Sequence, residues 1–381
     1  MPELPEVETV ARDLRRHLLP EGGGPGPVVA SARVAWPGTL RDGDPEAFAA
    51  GVTGRRIEAV GRRGKLLILD LDCGAFLTIH LKMTGQLFVV SAGVPVDPYE
   101  RLALLLDDGR EIRFRDIRKF GRVGLYAADD HPFDGIGPEP LDPRFTLREF
   151  RARIRGRRAR LKPLLVDQGF LAGVGNIYAD EALWRSKLHP LRSAASLRPH
   201  DERALYRNVL EILSVAVERR GSSIDDYTAP DGDGEMQEHL DVYQRTGQPC
   251  RRCGRPVRRI VIGIRATHFC SFCQRLPVGE RPAAARLLAT MTPRPGRAES
   301  GRRGRRWVDL DGEGVLGRTL DETGRARDRT ARTKAAAAAR RAAARRGAIA
   351  ETTQEAETTQ EAETTPGDGT RPPPAAEGGG A

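Results

Sequence analysis

Large apolar side chains almost disappear after residue 279, which limits the part of the chain that can fold around a core. Trp307 is the one aromatic residue beyond that point. Residues 280–350 carry 18 Lys or Arg against 8 Asp or Glu, whereas residues 351–381 carry 1 Arg against 7 acidic residues. Such segments bury too little surface to offset the entropy lost on ordering. We therefore expect residues 280–381 to form a disordered tail, basic first and acidic at its tip.

The first 279 residues have the features of an intracellular protein. The sequence has no apolar run long enough to span a membrane, which takes about 18 residues or more. Its first twenty residues carry Glu3, Glu6 and Glu8 and lack the basic-then-apolar order of a secretory signal. We therefore expect reduced cysteines unless a metal holds them.

Apolar periodicity and turn residues predict a domain of strands followed by a domain of helices. A helix over residues 4–19 precedes many short strand-like runs between residues 28 and 126, which suggest a sandwich or barrel. The later pattern is helical, at residues 146–154, 160–168, 175–186 and 200–219. The predicted order is a β domain (1–138), a helical domain (139–235), a cysteine module (236–279) and the tail (280–381).

Two Cys-x2-Cys pairs predict a structural zinc site. Cys250 and Cys253 are followed, after sixteen residues, by Cys270 and Cys273. Four thiolates on two tight turns form a closed tetrahedral site for one Zn²⁺, without an open position for catalysis. Two disulfides or incidental cysteines are the alternative interpretation. The fifth cysteine, Cys73, has no partner in the pattern, and we expect it to be a small buried residue.

The N-terminus offers a nucleophile if the initiator methionine is removed. Met1 precedes a small residue, Pro2, so removal would expose a secondary amine. An α-amine has a pKa near 8, below that of lysine, and provides more free base at neutral pH. Condensation with a sugar aldehyde carbon would give a cationic iminium, an electron sink for elimination. Taken alone, Pro2 is better explained as a residue that starts a helix.

Five motifs in sequence order resemble the bacterial formamidopyrimidine-DNA glycosylases. The resemblance spans roughly residues 2–275. The motifs are the N-terminal Pro2-Glu3-Leu4-Pro5-Glu6, His80-Leu81-Lys82-Met83-Thr84-Gly85, Asp116-Ile117-Arg118-Lys119-Phe120-Gly121, Gly173-Val174-Gly175-Asn176-Ile177-Tyr178-Ala179, and the cysteine module with Arg265-Ala266-Thr267.

The resemblance implies an α+β multidomain fold and a base-excision repair enzyme. The expected fold is an N-terminal helix with a β-sandwich, a helix–two-turn–helix domain, a C-terminal zinc-finger hairpin and the tail. The expected activity is removal of oxidised purines, followed by β,δ-elimination at the abasic site. The expected partner is double-stranded DNA with oxidised bases or abasic sites, bound by a cytoplasmic, nucleoid-associated monomer.

By the same resemblance, four residues carry the chemistry. Pro2 attacks C1′ of the damaged nucleotide, and Glu3 is the acid and base that protonates the opening sugar ring. Lys65 takes part in proton transfer and phosphate contact, and Arg265 is needed for δ-elimination.

The resemblance assigns a second set of residues to DNA. Met83, Arg118 and Phe120 fill the hole that a flipped base leaves, because a duplex base must leave the stack before it can react. Asn176 is a phosphate ligand, and we expect its neighbouring glycines to let the backbone approach a phosphate. The remaining members of the set are Glu6, Tyr99, Arg157, Lys162 and Tyr243. For Glu6 the resemblance implies a carboxylate that helps to position the site.

The chain departs from the family pattern mainly where DNA is handled. Lys82 replaces a glycine, Ile117 a proline and Lys119 an arginine, and Tyr99 stands where many members have histidine. Met236 stands where members usually have phenylalanine, in the loop that covers the flipped base. Two alternatives therefore stay open: an endonuclease VIII-like enzyme for oxidised pyrimidines or abasic sites, and a non-enzymatic zinc protein that binds DNA.

The tail predicts a salt-dependent effect on DNA binding. Its basic part would neutralise additional phosphates and release their counterions, so affinity would fall more steeply with salt. We expect the full chain to show a steeper slope of log Kd against log salt than a chain ending at residue 279. Equal slopes would indicate a solvated appendage.

Overall fold

The computed structural model describes residues 1–22, 24–223, 232, 234–284 and 286, all within one compact unit, Met1–Val308. Most of the predicted tail, from residue 287 onward, therefore lies outside the described residues. Within them, no helix is both long and apolar enough to cross a membrane.

The first helix, α1 (Leu4–Leu18), contributes to two hydrophobic cores. Val7, Val10 and Leu14 are buried in the core of the sandwich, as their spacing predicts for one helical face. Leu4, at the start of the helix, is buried in the core of the helical domain instead. The N-terminus is thus held between the two domains.

The strand region is a β-sandwich of two four-stranded antiparallel sheets. One sheet has the strand order β1-β6-β7-β5 and the other β2-β3-β4-β8. The strands are β1 (Val29–Val34), β2 (Ile57–Arg63), β3 (Leu66–Leu71), β4 (Phe76–His80), β5 (Gly85–Ser91), β6 (Glu100–Leu106), β7 (Arg110–Asp116) and β8 (Arg122–Tyr126).

A short helix in this domain, α2 (Pro45–Val52), was not predicted from the sequence. Its signal is nevertheless present, because Asp44 accepts hydrogen bonds from the backbone N–H groups of Glu46 and Ala47, and Pro45 follows it directly. The expectation for Cys73 is wrong, since this residue lies exposed in the turn between β3 and β4.

The helical domain and the cysteine module complete the described chain. Phe150, Phe170, Tyr178 and Leu205 belong to the helical core. The predicted helices are confirmed to within a few residues at each end. The elements are α3 (Leu147–Ile154), α4 (Leu161–Leu165), α5 (Asn176–Arg185), α6 (Pro199–Glu218), and the hairpin strands β9 (Arg258–Ile262) and β10 (Arg265–Phe269).

The folded part extends beyond the predicted boundary at residue 279. The Glu280 carboxylate accepts hydrogen bonds from Arg160 Nη1 at 3.0 Å and from the Ser193 backbone N–H at 2.8 Å. Ala284 is buried as well. These first residues of the predicted tail are therefore part of the packed structure, and a truncation that preserves their contacts would end after Arg286.

Candidate active site

The Glu3 carboxylate caps a helix of the other domain. Its Oε1 accepts a hydrogen bond from the Ile177 N–H at 2.8 Å, and its Oε2 accepts one from the Tyr178 N–H at 3.4 Å. These N–H groups belong to the first turn of α5, which has no acceptors of its own for them. A carboxylate at a helix N-terminus is also stabilised by the helix dipole. Glu3 is therefore held by the fold in one orientation.

The glycines before α5 make room for this contact. A Cβ at Gly175 would lie 2.3 Å from Cδ of Glu3, and one at Gly173 would lie 2.6 Å from Cβ of Leu4. The Leu4 N–H also donates to the Gly173 carbonyl at 3.0 Å. We expected these glycines to let the backbone approach a phosphate, but in the structure side-chain atoms of Glu3 and Leu4 occupy the space beside them.

Glu6 lies beneath Glu3 and is fully engaged with protein. Its Oε2 accepts the Glu3 N–H at 2.8 Å. Its Oε1 accepts the Tyr178 hydroxyl at 2.5 Å and both the N–H and the hydroxyl of Ser222, at 2.8 and 3.1 Å. Glu6 therefore positions Glu3 and the backbone at Ser222, which agrees with the positioning role implied by the resemblance, whereas its place among the DNA-contacting residues is wrong in this structure.

Lys65 is buried at the turn between β2 and β3. The turn is held from the start of the helical domain, because Glu139 accepts hydrogen bonds from Arg62, Arg63 and the Gly64 N–H. Burial is the main reason that the Lys65 pKa falls to about 8, with Glu3 opposing the shift and Arg265 adding to it.

The pKa values of Glu3 and Lys65 are shifted towards each other. Burial raises the pKa of Glu3, while the Lys65 charge opposes the rise. A carboxyl group that keeps its proton longer and an ammonium group that loses it sooner are suited to exchanging protons near neutral pH. The zinc hairpin faces this pair: Ala266, next to Arg265, accepts a hydrogen bond from Asn176 at the start of the helix that Glu3 caps, and the Arg265 charge lowers the Lys65 pKa.

Lys162 does not reach the surface. Its side chain is 1% exposed, and its ammonium donates to Asp180 Oδ1 at 2.6 Å and to the Asn176 carbonyl at 2.7 Å. The assignment of Lys162 to direct DNA contact is thus contradicted. Arg157 lies on the surface after α3, where its Nε donates to the Arg153 carbonyl at 3.0 Å.

Helix α5 also holds the cysteine module in place. The Asn176 Nδ2 donates to the Ala266 carbonyl at 2.8 Å, and Asp180 Oδ2 accepts the His268 N–H at 2.8 Å. The Glu181 carboxylate accepts the N–H groups of residues 241–243 at 2.8–2.9 Å, and Tyr243 is one of them. Sequence reasoning did not single out Asp180 or Glu181, because their partners lie far along the chain.

The four predicted cysteine ligands come together. The Sγ atoms of Cys250, Cys253, Cys270 and Cys273 all lie within 4.8 Å of one another. A tetrahedral site with Zn–S bonds of about 2.3 Å requires sulfur atoms about 3.8 Å apart, so the cluster fits one structural Zn²⁺. The Trp184 indole N–H donates to Cys250 Sγ at 3.3 Å and joins the cluster to α5.

The predicted hole-filling residues are exposed on two loops of the sandwich. Met83 is 38% and Phe120 47% exposed, and the Arg118 guanidinium lies 5.0 Å from the centre of the Phe120 ring. Tyr99, one residue before β6, is exposed as well, and the Arg115 guanidinium lies 5.1 Å from the centre of its ring. The substitution of Lys82 for glycine has a conformational consequence, because this residue has φ +57°, a region that favours glycine.

Comparison with known proteins supports each part of the chain separately. Models of the formamidopyrimidine-DNA glycosylase N-terminal domain, of its H2TH domain and of a zinc finger found in FPG and IleRS match residues 1–123, 136–228 and 247–276. A formamidopyrimidine-DNA glycosylase of Chloroflexus aggregans is 47% identical over 283 residues, covering 72% of this chain and 99% of the relative.

Solved structures agree with these matches. The MutM (Fpg) protein of Thermus thermophilus has a TM-score of 0.64 and 42% identity, covering 72% of this chain and 98% of that one. A complex of Lactococcus lactis Fpg with DNA containing N7-benzyl-Fapy-dG has a TM-score of 0.66 and 34% identity, covering 72% and 100%.

A sandwich that delivers a buried carboxylate to a helix of an H2TH domain, with a zinc hairpin alongside, defines a class of DNA glycosylases. Within this class the chain belongs to the formamidopyrimidine-DNA glycosylase family, as its domain matches and its relatives show.

Gly175→Ala should displace the Glu3 carboxylate while leaving Glu3 itself unchanged. The new Cβ would displace the Glu3 carboxylate from α5, since their atoms would come within 2.3–2.7 Å. Displacements of about 1 Å can cost about 100-fold in rate, so we expect a loss of that order in base excision. Gly279→Ala is the matched control, because its Cβ would meet no heavy atom within 4 Å. Unchanged activity of Gly175→Ala would contradict this role of the glycine.

Lys65 should give the rate profile a descending limb near pH 8. The resemblance predicts that the protonated lysine donates a proton and binds phosphate. Its pKa of about 8 means that this charge is lost as pH rises through this value. Lys65→Arg stays protonated and should lack the limb. The measurement is single-turnover excision rate against pH, and a limb that persists in Lys65→Arg would assign the titration to another group.

Proposed function

We propose that this protein is a bifunctional DNA glycosylase and abasic-site lyase of base-excision repair that removes oxidised purines, among them 8-oxoguanine and formamidopyrimidines. The observation that supports it most is that Glu3, the neighbour of Pro2 in the chain, and Lys65 are both buried, interact electrostatically and have pKa values shifted in opposite directions. Such shifts are common where acid and base catalysis is carried out.

The proposed nucleophile is the secondary amine of Pro2, freed when Met1 is removed. Its nitrogen bonds to C1′, and the bond from C1′ to the damaged base breaks. Glu3 then protonates the ring oxygen as the sugar opens, which leaves a cationic iminium between Pro2 and C1′. Loss of a C2′ proton expels the 3′ phosphate, and a second elimination expels the 5′ phosphate.

The charges around the pair suit a DNA backbone at the lesion. Lys65 and Arg265 are the two cations proposed to face the phosphates, and Asn176 and Tyr243 are proposed as ligands on either side. Asn176 donates one amide hydrogen to the Ala266 carbonyl, and the NH₂ group carries a second hydrogen that a phosphate oxygen can accept.

The exposed residues of the sandwich loops are proposed to distort the duplex. Met83, Arg118 and Phe120 would occupy the hole left by the flipped nucleotide. Tyr99 would contact the DNA backbone next to it. Arg157 would contact DNA from the helical domain. An apolar wedge between base steps costs unstacking energy, which contacts with the bent DNA offset.

The structural Zn²⁺ would act on this function only indirectly. It would hold the hairpin that carries Arg265, and it has no open position for a substrate. We further propose that the enzyme acts as a monomer in the cytoplasm, on DNA of the nucleoid. An endonuclease VIII-like preference for oxidised pyrimidines is the alternative, and it stays open because Met236 stands where family members usually have phenylalanine. The Met236 side chain lies in the core of the helical domain, where it is 0% exposed.

Borohydride trapping tests the proposed nucleophile. Borohydride reduces an iminium to a stable amine, so the processed protein should become covalently linked to abasic-site DNA through Pro2. Peptide mass mapping identifies the linked residue, and a chain with one additional residue that stays ahead of Pro2 should give no adduct. Absence of an adduct with correctly processed protein would contradict both enzymatic readings.

Release of free base from matched duplexes decides between the two substrate classes. We expect faster release from a duplex with 8-oxoguanine opposite cytosine than from one with an oxidised pyrimidine. The reverse order would support the alternative.

A further inference from the structure

One buried carboxylate lies under both loops that are proposed to enter the DNA. Asp116 ends strand β7 and is 0% exposed. Its Oδ1 accepts the Thr84 hydroxyl at 2.5 Å and the Arg118 N–H at 3.2 Å, and its Oδ2 accepts the Gly121 N–H at 2.7 Å. Thr84 directly follows Met83, so the side chain of Asp116 is shared between the two loops.

The two loops also contact each other through the same group. The Arg118 N–H donates to Thr84 Oγ1 at 3.2 Å as well as to Asp116. Thr84 is buried, and a Cβ at Gly121 would lie 3.1 Å from Asp116 Oδ2 and 2.3 Å from the Phe114 ring. The carboxylate is thus enclosed by the loops that it connects.

The main chain of Asp116 secures it to the sheet. Its N–H donates to the Tyr99 carbonyl at 2.9 Å, and its carbonyl accepts from Arg101 Nε at 2.8 Å. The carboxylate therefore has a rigid support, whereas Met83 and Phe120 at the outer ends of the loops are exposed.

The outer end of the second loop has an anchor of its own. The Lys119 ammonium lies 4.1 Å from the centre of the Trp36 ring, and Lys119 has φ +58°, which is unusual for a residue with a side chain. The indole in turn lies against Gly38, where a Cβ would come within 2.7 Å of the ring nitrogen. A cation held over an aromatic face offsets part of the strain of this backbone conformation.

We propose that Asp116 is a positioning residue that makes the Met83 loop and the Arg118–Phe120 loop one rigid wedge. The wedge then enters the duplex as a unit, so that hole filling by Met83 and Arg118 occurs together. This inference rests on the proposed function, because it concerns how that function reaches a paired base.

Asp116→Asn is a sharp test because an amide can satisfy only one side of the site. If its oxygen faces Thr84 and Arg118, its NH₂ group opposes the Gly121 N–H. If it is turned, the NH₂ group opposes the Arg118 N–H. Either way one backbone donor of a wedge loop loses its acceptor in a buried place. Thr84→Val is the milder variant, since it keeps the side-chain shape and removes one hydroxyl, while the Arg118 N–H that this hydroxyl shares keeps Asp116 as an acceptor. Asp130→Asn, in the exposed turn after β8, is the matched control.

The full-length variants are compared on two substrates. On a duplex with a paired 8-oxoguanine we expect Asp116→Asn to lose about 100-fold in single-turnover excision, and Thr84→Val to lose less. On an abasic site in single-stranded DNA, which leaves no hole to fill, we expect borohydride trapping within about 3-fold of wild type. A 2-aminopurine placed beside the paired lesion reports unstacking by a rise in fluorescence. We expect this rise with wild-type protein and not with Asp116→Asn.

Each remaining outcome is decisive. Equal losses on both substrates, or no loss on the paired lesion, would overturn the proposal for Asp116. If Asp116→Asn does not fold, as judged by thermal unfolding, the same comparison with Thr84→Val decides. Failure of wild-type protein to be trapped on either substrate would instead reject the proposed function, and with it this inference.

Discussion

The contact between Glu3 and the first turn of α5 is the constraint on which the site depends. Glu3 directly precedes α1, whose buried face belongs to the sandwich, while the N–H groups that it accepts belong to the helical domain. An apolar residue in place of Glu3 would leave the buried N–H groups of Ile177 and Tyr178 without their acceptor, at about 1–3 kcal/mol for each group. The same contact holds Glu3, and with it the N-terminus, within electrostatic range of Lys65. Gly175 permits it, since any side chain there would occupy the position of Glu3.

Helix α5, which Glu3 caps, also holds the zinc module in position. Asp180, Glu181 and Trp184 bind β10, residues 241–243 and Cys250, in that order along the helix. Three separated parts of the module are thus held by a single element, whose own N-terminus is capped by Glu3. Arg265 consequently faces Lys65 although the two residues come from opposite ends of the fold. The ion pair of Lys162 with Asp180 belongs to this framework, because it is completely buried and joins α4 to α5.

The sequence predicted the elements well and the surroundings of charged residues poorly. Strand and helix bounds follow apolar periodicity, which is local, and the cysteine ligands follow a spacing that geometry requires. Lys162 and Glu6 were assigned to the DNA-contacting set by resemblance, and a sequence motif shows a charge but not its partner. Asp180 and Ser222 supply those partners from 18 and 216 residues away. Gly173 and Gly175 were misread for the same reason, since their neighbours Leu4 and Glu3 come from the chain start. Cys73 lies exposed in a turn, where a preference for burial has no effect.

The register of the sandwich links the chemistry to the distortion of DNA. Leu67 pairs with Ile79 in the antiparallel strands β3 and β4, so the start of β3, just after Lys65, and the end of β4, just before Met83, lie at the same edge of the sheet. His80 lies at this edge, and its pKa falls to about 3 through burial and the charges of Lys82 and Lys65. A neutral imidazole adds no third positive charge beside the two lysines. Lys65 therefore experiences chiefly its own burial, the attraction of Glu3 and the repulsion of Arg265, the balance that sets its pKa near 8.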